Sequence, residues 1–203
     1  LDLIKSRALR LGERDRAFLH ALYDGAVEYT DFAFGELMKA LDAMGLAKDT
    51  LVVITADHGE EFWEHGSVGH AHTVYDELVR VPLVVGTWGG SGGGGGSGSG
   101  SGSGDGSGGR VVGETVSTVD LVSALRDAYK LDGDARRTID TTRPVFSIVL
   151  DRVVSATWGR CKYVLWRGGD EELFRLDSDP AELRNLARTE PSVARGLRGR
   201  VAE

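Results

Sequence analysis

LVVITADHGEEFWEHGSVGHAHTVYDELVRVPLVV, residues 51–85, is the stretch that decides the fold. It opens with a continuous run of β-branched and apolar residues, Leu51–Thr55, which predicts a strand buried on both faces. It closes with a second apolar run, 81–85, with Pro82 near its start, where a strand tolerates proline. Four of the chain's five histidines lie between these runs. We therefore expect the chemistry in the segment that joins two strands.

Asp57, His58 and Gly59 follow the first predicted strand directly, at the end where open α/β sheets bind ligands. A carboxylate beside an imidazole offers one oxygen and one nitrogen ligand, which suits a divalent cation of the calcium, magnesium, manganese or zinc range. Neighbouring residues of a regular strand point to opposite faces, so both reach one ion only where the strand breaks, and Gly59 permits a break. The alternative is that Asp57 caps the next segment and His58 is an ordinary loop histidine.

The glycine-containing loop that follows carries three more imidazoles, on His65, His70 and His72. Beside a metal, an imidazole can ligate, donate a hydrogen bond to an anionic substrate or move a proton. The loop's other notable side chains are acidic or aromatic: Glu60, Glu61, Glu64, Phe62 and Trp63. We expect the three glutamates to solvate the loop, with ligation as their alternative role, and the two aromatic residues to pack its base.

Several function classes lack their signatures. The sequence contains no HExxH motif, no GxxxxGK[ST] motif and, outside the Gly/Ser segment, no nucleophile elbow of the GxSxG type. The formal net charge of −7, with no basic stripe, argues against nucleic-acid binding. The single cysteine, Cys161, excludes an internal disulfide and a cysteine-rich zinc site, and its apolar neighbours predict a buried strand thiol.

The chain shows no apolar run long enough to cross a membrane and opens with no secretory signal pattern. It begins with Leu1, and its first residues read like the interior of a longer protein, so we expect a C-terminal portion. Periplasmic, secreted and cytoplasmic locations all stay open.

The flanking sequence predicts four segments. Residues 1–88 form the metal-site part of an α/β domain, with a helix over 15–44 that bends or breaks near 30–35, ends at Gly45 and carries His20 and Asp31 in structural roles. Residues 89–109, which are fourteen Gly, six Ser and one Asp, form a flexible linker or insertion. Residues 110–143 continue the domain, with a β-like run over 111–119 and a helix over 120–129 that is capped by Ser117, Thr118 or Asp120.

Residues 144–203 are predicted to form a small antiparallel subdomain. Three β-rich runs, 145–150, 153–157 and 162–166, are separated by turn residues, which is typical of a meander. Residues 173–176 are expected as an edge strand, and a terminal helix is expected from Pro191.

Three separated motifs resemble one known family. TLVVITADHGEEFWEHGSVGHAHTVYDELVRVPLVV resembles the C-terminal metal-site signature of the sulfatase family in the alkaline phosphatase superfamily, and YDGAVEYTDFAFGELMKALDAMG is similar to its preceding helix. STVDLVSAL and ELFRLDSDPAELRNLA are similar to the family's later motifs and follow in the family's order. The resemblance implies the C-terminal part of an alkaline-phosphatase-like three-layer α/β/α domain plus a small C-terminal antiparallel subdomain with a terminal helix.

The resemblance also implies a site. Asp57 and His58 would bind the divalent cation, calcium or magnesium in sulfatases, while His70, with His72 as the alternative, would contact the oxygens of a small sulfate or phosphate ester. His65 matches a His-Gly pair of less definite role. The nucleophile, a formylglycine made from Cys or Ser in a Cys/Ser-x-Pro/Ala-x-Arg motif, and an acidic metal-ligand pair are expected in an N-terminal half of the same domain. Cys161 precedes Lys-Tyr-Val-Leu and does not fit that motif.

We therefore expect a divalent-metal-dependent sulfuric ester hydrolase, of which this chain alone lacks turnover and requires the N-terminal half. A second interpretation is a phosphoryl enzyme of the same superfamily, namely a phosphonate monoester hydrolase, a phosphodiesterase or a phosphoethanolamine transferase. A third, of another class, is a degenerate module that keeps the fold without catalysis.

Overall fold

The computed structural model describes residues 11–87, 111–128 and 142–201. Their contacts divide the chain into two compact units. Among the described residues, the first unit contains 11–69, 81–87 and 111, and the second contains 70–80, 112–128 and 142–201. The predicted linker, 89–109, lies outside the described residues.

The first unit begins with one long helix, α1, which spans Glu13–Ala43 and is 31 residues long. Of the bend or break predicted near 30–35, the break is wrong, because α1 runs through these residues without interruption. The Thr30 hydroxyl donates to the Ala26 carbonyl at 2.8 Å, a bond that stays within the helix. A single Gly at position 35 costs a helix only about 1 kcal/mol, which is too little to end it. The predicted ending is confirmed, since Gly45 follows the last turn with a φ of 71°.

A two-stranded antiparallel pair follows α1. Strand β1 spans Leu51–Thr55 and pairs with β4, Leu83–Thr87, with Val53 opposite Val85. Strand β4 begins one residue after Pro82, later than predicted, because proline has no N–H to donate to a ladder. The expected burial of β1 on both faces is wrong for the described residues. Its first three residues are half-buried and Ile54 is 38% exposed.

Between these strands lies a short hairpin, formed by β2, Glu61–Phe62, and β3, Val68–Gly69. The short helix α2, Asp76–Val79, belongs to the second unit. The second unit also contains α3, Leu121–Ala128. The predicted strand over 111–119 is wrong: the described part of this segment is irregular until a 3₁₀ turn, Thr118–Asp120, which leads into α3.

The start of that 3₁₀ turn follows the prediction. The Ser117 hydroxyl accepts a hydrogen bond from the Val119 N–H at 3.4 Å, as expected of an N-cap. The residues of 111–119 are rich in Val and Thr, yet β-propensity produces a strand only where a partner strand supplies cross-strand contacts.

The predicted antiparallel subdomain is confirmed. Its four strands are β5 (Val145–Val149), β6 (Val153–Trp158), β7 (Cys161–Trp166) and β8 (Glu171–Arg175). They pair in the order β5-β6-β7-β8, so the strand expected at the edge is an edge strand. The terminal helix α4 spans Pro191–Val201. Cys161 starts β7 as predicted, but its side chain is half-buried and not buried.

Neighbouring strand residues point to opposite sides of this sheet, and each side has its own buried cluster. One face buries Tyr163 and Leu173 against Ala194 and Leu197 of α4. The other face buries side chains of the strands against residues 74 and 75; this cluster consists of Val74, Tyr75, Val153, Val164 and Phe174. The segment that carries His70 and His72 is therefore continuous with a core layer of the C-terminal sheet. Within the described ranges, no helix combines the length and the apolar character that a membrane crossing requires.

Candidate metal and oxyanion site

Asp57 and His58 lie where β1 ends and the chain leaves the strand. The backbone N–H of His58 donates to Oδ1 of Asp57 at 3.0 Å, which fixes the carboxylate beside the bend. The side chains are 88% exposed at Asp57 and 43% exposed at His58. The local break that the sequence required for both side chains to serve one ion is present.

The orientation of His58 fixes which ring nitrogen can bind a cation. Nδ1 lies 2.8 Å from the carbonyl oxygen of Gly59. Because a carbonyl oxygen only accepts, Nδ1 carries the hydrogen, and the neutral ring then holds its lone pair on Nε2. Metal-ligating histidines commonly donate their second ring N–H to such an acceptor. Nε2 lies 3.6 Å from Oδ2 of Asp57. This separation suits adjacent ligand positions around one Ca²⁺ at bond lengths of about 2.4 Å. The donor set therefore fits a divalent cation.

Glu60 brings a further carboxylate near His58. One oxygen of Glu60 and one ring nitrogen of His58 lie within 4.8 Å of each other, and Glu60 is half-buried. The sequence favoured a solvating role for Glu60, but this geometry makes it a candidate ligand as well.

Glu61 has a role that the sequence did not predict. The expected solvation of this glutamate is wrong, because its exposed fraction is 0%. One carboxylate oxygen, Oε1, accepts from the N–H of Ser67 at 2.6 Å and from the N–H of His65 at 3.2 Å. The buried carboxylate thus closes the hairpin loop from inside, and His65 takes part through its backbone. Polar backbone groups that leave water need such partners.

The aromatic residues of the hairpin pack on α1, as predicted. The Phe62 ring lies 4.3 Å from the His20 ring and 5.1 Å from the Tyr23 ring, between centroids. The guanidinium of Arg16 stands 4.6 Å over the ring of Trp63. The structural role expected for His20 agrees with this contact. Helix α1 therefore supports the loop that follows Asp57 and His58.

His70 and His72 belong to the second unit, whereas Asp57 and His58 belong to the first. His70 is exposed and His72 is half-buried. Nδ1 of His72 lies 3.1 Å from the carbonyl of His70, so it donates there and the neutral ring holds its lone pair on Nε2. Ala71, between them, has a φ of 64°, a region that costs non-glycine residues energy and often occurs at functional sites.

The residues just after these histidines are tied to the C-terminal sheet by polar contacts that sequence reasoning missed. The Tyr75 hydroxyl donates to Glu172 of β8, with distances of 2.9 and 3.1 Å to its two oxygens. Burial, and then the nearby Glu172 carboxylate, raise the pKa of Tyr75 well above its usual value, so the hydroxyl keeps its proton. Asp76 contacts the buried Lys162 and Glu182. The one sequence signal for these contacts was a lysine at an inward position of a β-strand.

Comparisons with known proteins agree with this fold. The sulfatase family profile matches residues 11–129. Arylsulfatase K of Bos taurus is 24% identical over 212 residues, which cover 91% of this chain and 36% of that protein. The chain thus spans little more than a third of that relative's length. This chain belongs to the sulfatase family.

Two solved structures share the fold. A protein of Bacteroides thetaiotaomicron provisionally described as a sulfatase matches with a TM-score of 0.71 at 21% identity, over 95% of this chain and 44% of that one. The phosphonate monoester hydrolase of Agrobacterium radiobacter matches with a TM-score of 0.68 at 22% identity, over 93% of this chain and 41% of that one. The predicted alkaline-phosphatase-like α/β class is confirmed.

Proposed function

We propose that this chain carries the cation-binding and oxyanion-binding part of a divalent-metal-dependent sulfatase that hydrolyses small sulfate esters. The observation that carries the proposal is the ring orientation of His58. Its Nδ1 donates to the Gly59 carbonyl, which leaves the lone pair of the neutral ring on Nε2, and Nε2 lies 3.6 Å from Oδ2 of Asp57.

Asp57 and His58 would hold Ca²⁺ or Mg²⁺, with Mn²⁺ or Zn²⁺ as substitutes, and Glu60 is placed to assist. When bound, the cation supplies electrostatic stabilisation of negative charge on the ester oxygens. His70 would donate a hydrogen bond to a sulfate oxygen, and His72 is the second candidate for this contact. Preorganised donors of this kind act where charge develops in the transition state.

The nucleophile is proposed to be a formylglycine in the N-terminal half of the same domain, so this chain alone would lack turnover. The string Ser6 to Arg10, Ser-Arg-Ala-Leu-Arg, satisfies the letters of the formylglycine motif. It stands directly before α1, whereas the resemblance expects the motif in a separate N-terminal half, and we assign it no role. Replacing Ser6 by Ala should therefore leave turnover in the complete protein unchanged.

The test is to replace Asp57 or His58 by Ala in the complete protein and to measure hydrolysis of an aryl sulfate. Turnover should fall by at least about a hundredfold, because losing one preorganised electrostatic contact typically costs this much or more. Asp31→Ala, which removes a carboxylate from α1, is the matched control and should keep normal turnover. Wild-type kinetics in either site variant would reject the metal assignment.

The phosphoryl interpretation is retained because the chain's fold matches that of a phosphonate monoester hydrolase. Parallel assays with aryl sulfate and phosphonate monoester substrates decide between the sulfatase and phosphoryl interpretations by the ratio of the two kcat/KM values. A degenerate module without catalysis would bind no Ca²⁺ or Mg²⁺ in calorimetry and would hydrolyse neither substrate.

A further inference from the structure

Lys162 of β7 is a wholly buried lysine, with an exposed fraction of 0%. Its Nζ lies 2.8 Å from Oδ1 of Asp76 and 2.9 Å from Oε1 of Glu182. A charge that leaves water is tolerated only where opposite charges and hydrogen bonds compensate it. The three residues come from the start of α2, the middle of the sheet and the loop after β8. One buried ion cluster therefore joins three separate parts of the chain.

Glu182 makes a second contact with the same segment. Its other oxygen, Oε2, accepts from the backbone N–H of Asp76 at 2.6 Å. Glu182 is 2% exposed and has a φ of 54°, a conformation that a non-glycine residue keeps only when its surroundings hold it. The loop is held from within by Asp179, whose carboxylate accepts from the N–H groups of Leu183 and Arg184 at 3.1 and 2.8 Å. Glu182 is thus a rigid acceptor at the start of α2.

The residue before Asp76 is fixed to the same sheet. Tyr75 donates to Glu172 and packs edge-on against Phe174, with 6.0 Å between ring centroids. Val74 is completely buried. Residues 74–76 therefore form a fixed base, and His72 lies only two residues before it. Since Ala71 adopts a strained backbone conformation, the 70–73 loop needs such a base to keep its shape.

We propose that Lys162 and Glu182 are positioning residues for the reaction: acting through Asp76, they set the position of the loop that carries His70 and His72. The inference rests on the proposed function, in which these histidines contact the ester oxygens. A displacement of about 1 Å at such a contact lowers turnover by about a hundredfold. Because Lys162 and Glu182 are buried, their proposed effect is exerted through Asp76 and not by contact with the substrate.

The experiment compares two double variants in the complete protein. Lys162→Met with Glu182→Ala removes one charge of each sign together with the acceptor for the Asp76 N–H. Lys162→Met with Glu182→Gln also removes both charges but keeps an amide oxygen as that acceptor. Each double variant leaves the partly exposed Asp76 as the remaining charge of the cluster, so neither variant contains a fully buried ion without a partner. Arg160→Met with Asp177→Ala deletes an exposed ion pair and is the matched control.

The readouts separate positioning from stability. For 4-nitrophenyl sulfate, the alanine double variant should lose at least about tenfold in kcat/KM, with a changed KM. The Ca²⁺ Kd should stay within about twofold, because the cation ligands are elsewhere. The glutamine double variant should recover most of the loss, and the control should match wild type. A purely structural role would lower kcat and the number of bound Ca²⁺ ions in proportion, with KM unchanged.

Amide hydrogen exchange of residues 70–76 gives a readout that is independent of activity. The rates should rise at least about tenfold in the alanine double variant and stay at the wild-type level in the control. Unchanged exchange, or wild-type kinetics in a folded alanine double variant, overturns the inference. If the wild-type protein hydrolyses no sulfate ester and binds no Ca²⁺, the proposed function fails, and the exchange rates still decide whether the cluster holds the loop.

Discussion

Replacing Lys162 alone by Met should be among the most destabilising single changes in the second unit. The ammonium group lies 2.8 and 2.9 Å from two carboxylates, and the side chain of Glu182 is 1% exposed. At an effective dielectric constant of about 20, each contact corresponds to about 6 kcal/mol of gross attraction, much of which the desolvation of the charges offsets. Removing one partner of a buried pair typically costs about 3–5 kcal/mol, because the remaining charge is left buried and uncompensated.

Urea unfolding followed by tryptophan fluorescence is a suitable assay, since Trp158 and Trp166 end two strands of the same sheet. In a chain of this size, a loss of about 3–5 kcal/mol in the free energy of unfolding would appear in a thermal scan as a decrease of about 6–20 °C in Tm. Arg160→Met is the comparison, because the Arg160–Asp177 pair has side chains that are 78% and 41% exposed. Such a surface pair contributes about 1 kcal/mol or less.

The reasoning would be refuted if Lys162→Met cost no more free energy of unfolding than Arg160→Met. Adding Glu182→Gln to Lys162→Met should restore part of the stability, because the second change removes the buried charge that the first leaves behind. Failure of this rescue would mean that packing of the lysine's aliphatic stem, and not charge compensation, accounts for the loss.

Three smaller predictions concern other residues. Glu61→Ala leaves the N–H groups of His65 and Ser67 without their carboxylate acceptor and should cost about 1–3 kcal/mol; faster amide exchange at Ser67 is the measurement, and an unchanged rate would contradict the role. Gly45→Ala meets no atom within 4 Å, so only its φ of 71° opposes the change; we expect about 1 kcal/mol in urea unfolding, whereas a neutral result would place the strain elsewhere. Burial raises the pKa of Glu182 above its ordinary 4.5. The folded state thus binds this proton more tightly, and its contribution to stability is fully present below about pH 4.5 and is lost as pH rises through the folded-state pKa. Free energies of unfolding measured at several pH values should show that Glu182→Gln lacks this decrease in stability. Parallel curves for wild type and variant would exclude the contribution of Glu182.

The elements that the sequence predicted well are those whose signal is local. Strands β5 to β7 are short β-rich runs separated by turn residues, and their observed ends lie within one residue of the predicted ones. The errors concern features that depend on neighbours. Residues 111–119 have strand propensity without a partner strand, and Gly35 weakens α1 without breaking it.

In the candidate site, too, the local features could be predicted and those that depend on neighbours could not. Asp57 and His58 are neighbours in sequence, so their types and position could be recognised from the pattern after β1. The orientation of the His58 ring depends on where the Gly59 carbonyl points, and that direction could not be predicted from the sequence pattern. Glu61 shows the same limit, since an acidic residue in a charged loop looks solvated until the loop closes around it.

The contact between Asp76 and Glu182 gives a physical reason for two sequence motifs that resemble the sulfatases at widely separated positions. The hydrogen bond between them joins residues 106 positions apart, and the bond from Lys162 to Asp76 joins residues 86 apart. No periodicity spans such distances. The Tyr-Asp-Glu motif at 75–77 supplies a carboxylate and an N–H, and the Asp-Pro-Ala-Glu motif at 179–182 supplies the rigid acceptor. A lysine buried in the sheet would be a defect with either motif alone, so the three features are consistent only together. The C-terminal sheet therefore does more than close the fold: it supplies the base from which the His70 and His72 loop extends.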